Sequence, residues 1–154
     1  MNALYDTIHL IEKLHRHFLH VLKIELDKEG LRDITNVQSL ILYNIGDKEM
    51  SVGELTTRGY YLGSNVSYNV KRMVENGYLD QRRSPYDRRS TTLALSEKGV
   101  QVRDFVQRLL DQQVSGLEQF GVDGEELVRV NELLLQLQRF WGERTDLTDL
   151  IKAA

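Results

Sequence analysis

Apolar residues recur at helical spacing along the first part of the chain. One side of such a helix carries Leu4, Ile8, Ile11, Phe18 and Leu22, and a second side carries Leu10, Leu14, Val21 and Ile24. A helix that is apolar on two sides must be buried on two sides. The pattern therefore predicts a long helix from about Leu4 to Leu26, ended by Gly30, that contributes to a subunit interface.

Three shorter helices are predicted to follow. Thr35-Asn36-Val37-Gln38 has the form of a capping box, a hydroxyl followed three residues later by Gln, and opens the first of them. Ser51-Val52-Gly53-Glu54 repeats this form and starts a short helix that runs to about Gly59. The third helix is expected from about Ser64 to Asn76, and Gly77 suits its C-terminal cap.

The spacing then changes from helical to alternating. Residues 78–82 and 90–95 read as two short strands, because they are rich in β-branched or aromatic residues. The residues between them include Ser, Pro and Asp, which favour turns. The segment is therefore predicted to form a β-hairpin, followed by a helix cap at Ser96. In the tail, residues 97–145, two apolar stripes predict two long helices.

This order of elements predicts a mainly α fold with a small β-hairpin wing. It is that of a winged helix-turn-helix flanked by N- and C-terminal dimerisation helices. The predicted division is an N-terminal dimerisation helix (residues 1–30), a DNA-binding winged helix-turn-helix domain (31–96) and C-terminal helices that complete the dimerisation region (97–154). The residues expected at the dimer interface are Leu4, Ile8, Ile11, Leu127, Leu134, Leu137 and Trp141.

The composition narrows the function classes. A chain of 154 residues with 41% hydrophobic residues can form one domain with helical extensions. No run approaches 18 apolar residues, which excludes a membrane span, and the absence of cysteine excludes disulfides and thiolate metal sites. The N-terminus shows no secretory signal. We therefore expect a cytoplasmic protein.

The charge is unevenly distributed along the chain. The formal net charge is −3, yet residues 51–95 carry 7 basic and 4 acidic side chains, a net charge of +3. A positive patch on an acidic protein favours an anionic partner at one face. Chance clustering on a solvated surface is the plain alternative.

The predicted helix from Ser64 to Asn76 has one apolar and one polar face. At about 100° per residue, the apolar face carries Val66, Val70, Met73 and Val74. Hydroxyl, amide and basic side chains can approach base edges and phosphates, although any surface helix has a polar face and Glu75 would repel DNA. The residues of the polar face expected to contact DNA are Ser64, Asn65, Ser67, Tyr68, Lys71 and Arg72.

Four arginines surround the only proline of the chain. A hairpin that enters the minor groove needs an arginine at its tip, because a narrow groove concentrates negative potential. Asp87 can accept a charge-assisted hydrogen bond from Arg89 and so orient it. Arg88 and Arg89 are expected to reach toward DNA, and Arg82 and Arg83 are expected to approach its backbone. A solvated turn with a weak surface ion pair is the alternative.

At these residues the sequence resembles the MarR (multiple antibiotic resistance regulator) family of bacterial winged helix-turn-helix transcription regulators. The family's wing pattern is Asp-x-Arg, three residues, an apolar pair two apart, then Thr or Ser, two residues and Gly. Here it runs from Asp87 to Gly99, with Ser96 for the commoner Thr. The start of the helix at Thr35 and the junction Glu75-Asn76-Gly77-Tyr78-Leu79 also match. The resemblance covers nearly the whole chain.

The resemblance implies a homodimer that places two winged helices on a pseudopalindromic site in double-stranded DNA. It also implies a repressor that is released from DNA by a small aromatic or anionic ligand. In one departure, Asn65-Val66-Ser67-Tyr68 stands where the family commonly reads Thr-Val-Ser-Arg. The base preference therefore cannot be carried over. The stretch from Gly59 to Gly63 is also unusual for the turn.

Residues outside the predicted DNA-binding surface are candidates for two further kinds of site, an effector pocket and a metal site. An effector pocket is typically apolar with a few polar groups, and the residues proposed to line one are Tyr5, His9, Tyr43, Tyr60 and Tyr61. Core and interface tyrosines with satisfied hydroxyls are the equally plain reading. The four histidines of the first helix, His9, His15, His17 and His20, do not share one face, so no metal site is expected.

No enzymatic activity and no cofactor are expected. The sequence has no nucleophile motif, no phosphate-binding glycine-rich loop and no paired carboxylates beside a base. The competing class of function is a winged helix that binds another protein instead of DNA. Such modules often lose the basic recognition face, and the arginine-bearing hairpin argues against this alternative.

Overall fold

A computed structural model describes the backbone of residues 2–59, 63–83 and 91–153 and the side chains of residues 2–57, 65–83 and 91–143. In chain order its elements are α1 (Ala3–Lys28), α2 (Asn36–Ile45), β1 (Met50–Ser51), α3 (Val52–Gly59), α4 (Gly63–Glu75), β2 (Leu79–Arg83), β3 (Thr91–Leu95), α5 (Glu97–Gln119) and α6 (Gly124–Ala153). The predicted fold class, mainly helical with a small antiparallel hairpin, is confirmed. Within the described ranges, none of the helices has the length and hydropathy needed to cross a bilayer.

The contacts within the chain define two units that meet inside α5, Met1–Arg108 and Leu109–Ala154. The first unit contains α1 to α4, the sheet and the first half of α5. Each of these elements contributes buried apolar side chains, so the unit has one shared core. Its buried apolar residues are Leu22, Leu26, Ile34, Ile41, Leu42, Ile45, Met50, Leu55, Val66, Val70, Met73, Tyr78, Leu79, Leu93, Val102 and Val106.

The second unit consists of the rest of α5 and of α6. The two helices are joined by a turn in which Gly121 has a φ of 81°, a conformation that favours glycine. A capping box opens α6: Asp123 Oδ1 accepts a hydrogen bond from Glu126 N at 2.9 Å, and Glu126 Oε2 accepts one from Asp123 N at 3.0 Å. The boundaries predicted at residues 30 and 96 separate regions by function, dimerisation on either side and DNA binding between them. This division stays a prediction.

The sheet has three antiparallel strands in the order β1, β3, β2. Strands β2 and β3 form the predicted hairpin, with Leu79 opposite Leu95 and Arg83 opposite Thr91. Strand β1 was not predicted. Its two residues pair with the far side of β3, with Met50 opposite Leu93, and a two-residue strand carries no periodic signal in the sequence.

The predicted helix caps are present. Thr35 and Gln38 form a capping box, with Gln38 N donating to Thr35 Oγ1 and Thr35 N donating to Gln38 Oε1, both at 3.1 Å. Ser51 and Glu54 form a second one at the start of α3. Ser96 caps α5, because its Oγ accepts a hydrogen bond from the backbone N of the third helical residue at 3.1 Å. These local signals fix where α2, α3 and α5 begin.

The junction between the hairpin and α5 explains one glycine of the wing motif. Ser96 N donates to the Tyr78 carbonyl at 3.2 Å, and Ser96 Oγ donates to the Gly77 carbonyl at 2.6 Å. The first turn of α5 therefore lies against the start of β2. A Cβ atom at Gly99 would overlap the Tyr78 carbonyl oxygen, so a side chain at this position would push the two elements apart.

Candidate nucleic-acid interface

The helix α4 separates its side chains as its sequence predicts. Val66, Val70 and Met73 lie in the core, with exposed fractions of 5% or less. The side chains of the opposite face are exposed to solvent and include Asn65, Ser67, Tyr68, Lys71 and Arg72. The backbone of Ser64 belongs to the helix, while its side chain lies outside the described residues. We refer to α4 as the recognition helix, since it follows α3 in the position of the second helix of a helix-turn-helix.

The N-terminal half of the recognition helix is tied to α2 by an amide network. Gln38 Nε2 donates to Asn69 Oδ1 at 3.1 Å, and Asn69 Nδ2 donates to the Asn65 carbonyl at 2.8 Å. The other end of the Gln38 amide belongs to the capping box of α2. Gln38 is buried, where an unpaired amide would be costly. The network therefore fixes the distance between the start of α2 and the outward face of the recognition helix.

The C-terminal end of the recognition helix is held by four residues that we call the Asp33 cluster: Asp33, Asn76, Tyr78 and Lys98. Lys98 Nζ donates to Asp33 Oδ2 at 2.7 Å and to the Asn76 carbonyl at 3.0 Å. Tyr78 Oη donates to the other Asp33 oxygen, and Asn76 Nδ2 donates to the Asp33 carbonyl at 3.1 Å. The ammonium of Lys98 also lies 4.0 Å from the centroid of the Tyr78 ring. The cluster joins the loop before α2, the turn after α4 and the first turn of α5.

The charges of this cluster stabilise each other. The hydrogen bonds from Lys98 and from Tyr78 lower the pKa of Asp33. The same hydrogen bond to Asp33 raises the pKa of Lys98. Burial, followed by the hydrogen bond to Asp33, raises the pKa of Tyr78. Because Asp33 is already paired, its carboxylate adds little repulsion toward an anion at the neighbouring surface.

The basic side chains of the interface differ in how they are paired. Among the described residues, no carboxylate lies within ion-pair distance of Lys71 or Arg83. Arg72 forms an i,i+3 pair with Glu75 at 3.3 Å, and Arg82 pairs with Glu49 at 3.0 Å. Exposed pairs of this kind contribute little to stability. Both arginines can therefore exchange a carboxylate for a phosphate at small cost.

A cleft beside the recognition helix brings in a basic residue that sequence reasoning missed. This arginine cleft has a volume of about 380 Å³ and separates the loop before α2 from the recognition helix. Arg32 lies on its loop side, and Arg72 and Tyr68 lie on its helix side. Arg32 is 40 positions before Arg72 in the sequence, so no local motif connects them. The full lining is Arg32, Asp33, Ile34, Thr35, Gln38, Tyr68, Asn69, Arg72 and Asn76.

Two further clefts flank the recognition helix. The α2 cleft, about 440 Å³ in volume, lies between the N-terminal half of α2 and the recognition helix, and it is lined by Thr35, Asn36, Val37, Ile41, Asn65, Val66, Tyr68 and Asn69. A smaller cleft of about 280 Å³ lies toward β2 and includes Ser67, Lys71 and Gln81. The recognition helix therefore stands as a ridge with open space along its sides.

The tip of the wing lies outside the described residues. This applies to Asp87, Arg88 and Arg89, so their roles stay predictions. Arg82 and Arg83 are at the end of β2 that leads to the tip, and both side chains are exposed. The wing strand thus adds two guanidinium groups to the surface next to the recognition helix.

Of the residues proposed for an effector pocket, Tyr5, His9 and Tyr43 are described, and the pocket itself stays a prediction. Tyr5 and His9 stack on α1 with ring centroids 6.3 Å apart and nearly parallel planes. Tyr43 donates a hydrogen bond to Gln107 Oε1 at 2.9 Å. Tyr60 and Tyr61 lie outside the described residues. In the described part of the chain, no group of three or more His, Asp or Glu side chains is arranged to hold a metal ion.

The residues proposed for a dimer interface carry apolar surface that faces solvent. In α1, Leu4 is 44% exposed and Ile8 and Ile11 are each 38% exposed. In α6, Leu127, Leu134 and Leu137 are partly exposed and Trp141 is 38% exposed. The dimer itself stays a prediction.

The helix α2, the helix-turn-helix pair α3 and α4, and a three-stranded wing define the class: a winged helix-turn-helix protein. The sequence profile of the MarR family matches residues 32–90. The exopolysaccharide II synthesis transcriptional activator ExpG of Rhizobium meliloti (strain 1021) is 35% identical over 138 residues, which make up 90% of this chain and 71% of that protein. The chain belongs to the MarR family of transcription regulators, as its sequence predicts. This family is one of transcription regulators.

Solved structures share the fold. FabT of Streptococcus pneumoniae, solved in complex with DNA, has a TM-score of 0.73 and 20% identity, covering 90% of this chain and 98% of that one. MepR of S. aureus, also solved as a DNA complex, has a TM-score of 0.71 and 15% identity, covering 86% of this chain and 96% of that one. The winged-helix architecture is thus common to proteins of very different sequence.

Proposed function

We propose that this protein is a homodimeric regulator that binds a pseudopalindromic site in double-stranded DNA through its recognition helix and wing. The observation that carries the proposal is the outward face of the recognition helix. This face is polar and basic, it is exposed, and its backbone is held by hydrogen bonds at both ends. Such a face suits the major groove, where side chains contact base edges while neighbouring basic groups contact phosphates.

The distribution of charge supports an anionic partner at this face. Lys71 and Arg83 have no carboxylate partner among the described side chains, and Arg32 adds a third cation from the loop before α2. The arginine cleft opens between Arg32 and Arg72. Phosphate contacts of this kind would position the dimer on DNA without reading the sequence.

The apolar surface of α1 supports a second copy of the chain as the other partner. Leu10 and Leu14 are 56% and 58% exposed, on a helix whose first half carries several other exposed apolar side chains. Contiguous exposed apolar surface marks an interaction site. A two-fold dimer would also present two recognition helices, which matches a site with two half-sites.

The relatives support the same function. The names of the FabT and MepR structures describe complexes with DNA, and ExpG is named a transcriptional activator. We extend DNA binding to this chain as a proposal, with the cytoplasm as its location.

Two finer points of the proposal concern regulation. The first is release from DNA by a small aromatic or anionic ligand, for which the aromatic residues Tyr5, His9 and Tyr43 are the described candidates. The second is the direction of control, where the resemblance implies a repressor and the name of ExpG gives activation as the alternative. Deleting the gene raises transcription from its target promoters for a repressor and lowers it for an activator.

Binding to mixed-sequence duplex DNA at two salt concentrations tests the core of the proposal. A DNA-binding protein should bind with an affinity that falls steeply between about 50 and 200 mM salt, because phosphate contacts release counterions. A winged helix that binds another protein should show neither affinity nor a steep dependence. The second result would overturn the proposal in favour of that alternative.

A further inference from the structure

Tyr68 is the aromatic side chain that the recognition helix exposes. It is 65% exposed, although its helix buries the apolar residues on either side of it, Val66 and Val70. It lines both the arginine cleft and the α2 cleft. A side chain with open space on two sides protrudes from the surface, so the ring of Tyr68 is available to whatever the recognition helix contacts.

The chemistry of this side chain limits what it can read. Tyr68 makes no hydrogen bond with the part of the chain that the structure describes, so its ring and its hydroxyl are both free to meet a partner. Among the groups that base pairs present in the major groove, the apolar one is the C5 methyl of thymine. An aromatic ring on an exposed ridge matches that methyl group. It lacks the paired donors with which Arg or Lys binds guanine.

Asn65 lies three residues before Tyr68, which places both on the same face of the helix. Its carbonyl oxygen accepts a hydrogen bond from Asn69, but its side-chain amide has no partner among the described residues. An asparagine amide can bind adenine through both N6 and N7. Asn65 and Tyr68 are therefore two neighbouring groups that each suit an A·T pair.

We propose that the recognition helix selects A·T pairs in each half-site, with Asn65 bound to an adenine and the ring of Tyr68 packed on a thymine methyl group. This inference deepens the proposed function and rests on it. Lys71 and Arg72, one turn later on the helix, contact phosphates and carry none of this selectivity.

The test begins with duplexes selected by the protein from a random pool at moderate salt. In each selected half-site, every thymine is then replaced singly by deoxyuridine, which removes the methyl group and leaves base pairing intact. Each half-site should contain one thymine at which a single replacement weakens wild-type binding about fourfold. This is the factor that follows from burying one methyl group. Adenines are likewise replaced singly by 7-deazaadenine, which lacks N7. This replacement should weaken binding at an adenine in a base pair next to that thymine.

Protein variants connect these effects to particular side chains. Tyr68→Phe should distinguish thymine from uracil as the wild type does, because it keeps the ring. Tyr68→Ala should bind the two duplexes equally, and Asn65→Ala should tolerate 7-deazaadenine. Thermal melting serves as the folding control. Because the uridine replacement is made in the DNA, the central test uses wild-type protein and does not depend on how any variant folds.

Several outcomes would overturn the inference. It is wrong if uridine is tolerated at every thymine, if no A·T preference emerges from the selection, or if Tyr68→Ala still distinguishes thymine from uracil. These results leave sequence-specific DNA binding in place. A pool that yields no salt-sensitive binding would overturn the proposed function itself, and the inference with it.

Discussion

The recognition helix and the first half of α1 both carry many exposed side chains, but these side chains differ in their chemistry. The recognition helix presents amides, hydroxyls and cations and buries its apolar face. In α1, residues 3–17 are exposed apart from partly buried Thr7, and apolar side chains such as Leu10 and Leu14 lie among them. Only from Leu22 onward does α1 enter the core of its unit.

This difference indicates two kinds of partner. Exposed cations, whether unpaired among the described residues like Lys71 or weakly paired like Arg72, are satisfied by an anion, whose attraction is long-ranged and screened by salt. Exposed leucines and isoleucines are satisfied by another apolar surface, whose attraction is short-ranged and proportional to the area buried. Substitutions on the recognition helix should therefore impair binding of the anion, and substitutions on α1 should impair binding of the apolar partner. The two effects should appear in different experiments, unless one function depends on the other.

The largest expected effect comes from placing charge on the apolar surface of α1. The double substitution Ile8→Asp and Ile11→Asp should give monomers, because each protomer would bury two carboxylates in the interface. DNA affinity should fall by about 10²–10⁴-fold, since the second half-site is then no longer bound intramolecularly. Sedimentation velocity and a DNA-binding titration measure the two results.

The matched control is Lys13→Asp, an exposed position on the same part of α1. It changes the net charge by the same −2 without touching an apolar side chain. If the double variant sediments like wild type, or if the control also dissociates, the apolar surface of α1 is not the dimer interface.

Within the recognition helix, the buried face should determine stability. Met73 is fully buried, and truncating a buried methionine costs about 2–5 kcal/mol of unfolding free energy. Met73→Ala should therefore unfold at clearly lower urea concentration than wild type. Lys71→Ala, two residues away on the exposed face, is the matched control and should stay within about 0.5 kcal/mol. Equal losses in the two variants would contradict the assignment of faces.

The sequence predicted the elements whose signals are local. The capping boxes at Thr35 and Ser51, the hairpin strands and the two faces of the recognition helix each depend on residues a few positions apart. The strands β2 and β3 lie within one residue of their predicted starts. The wing motif also indicated the family, because its residues, Asp87 to Gly99, are contiguous in the chain.

Features made by distant residues could not be predicted from local patterns. The strand β1 exists because Met50 meets Leu93 across the sheet. The arginine cleft joins Arg32 to Arg72, and the Asp33 cluster joins a loop residue to Lys98, 65 positions later. Gly99 was recognised as part of a motif, but the reason for it, its approach to the Tyr78 carbonyl, depends on packing.

The exposed face of the recognition helix should determine the response to salt. Lys71→Ala removes one proposed phosphate contact per protomer. The slope of log affinity against log salt should fall by about one per lost contact, hence by about two for the dimer. Affinity should decrease for all DNA sequences alike, because phosphates carry no sequence information. Lys13→Ala is the control outside this face, and an unchanged slope in Lys71→Ala would show that Lys71 contacts no phosphate.

The smallest expected effect concerns the Asp33 cluster, which belongs to neither exposed surface. Lys98→Gln removes the ammonium that pairs with Asp33. Because both side chains are more than a third exposed, the loss at pH 7 should stay below about 1 kcal/mol of unfolding free energy. Oligomeric state should be that of the wild type.

The pH dependence of this loss gives the sharper test. The folded-state pKa of Asp33 is lowered by Lys98 and Tyr78 from an ordinary value of 3.8. The stability gained from ionised Asp33 is therefore present above about pH 4 and is lost as the pH falls through the folded-state pKa. The pKa of Lys98 is raised above 10.5, so its contribution is present below that pH and is lost as the pH rises further. Urea unfolding measures the difference in unfolding free energy between wild type and Lys98→Gln. This difference should be largest near neutral pH and should narrow toward pH 3. A difference of constant size down to pH 3 would mean that the ion pair with Asp33 contributes nothing.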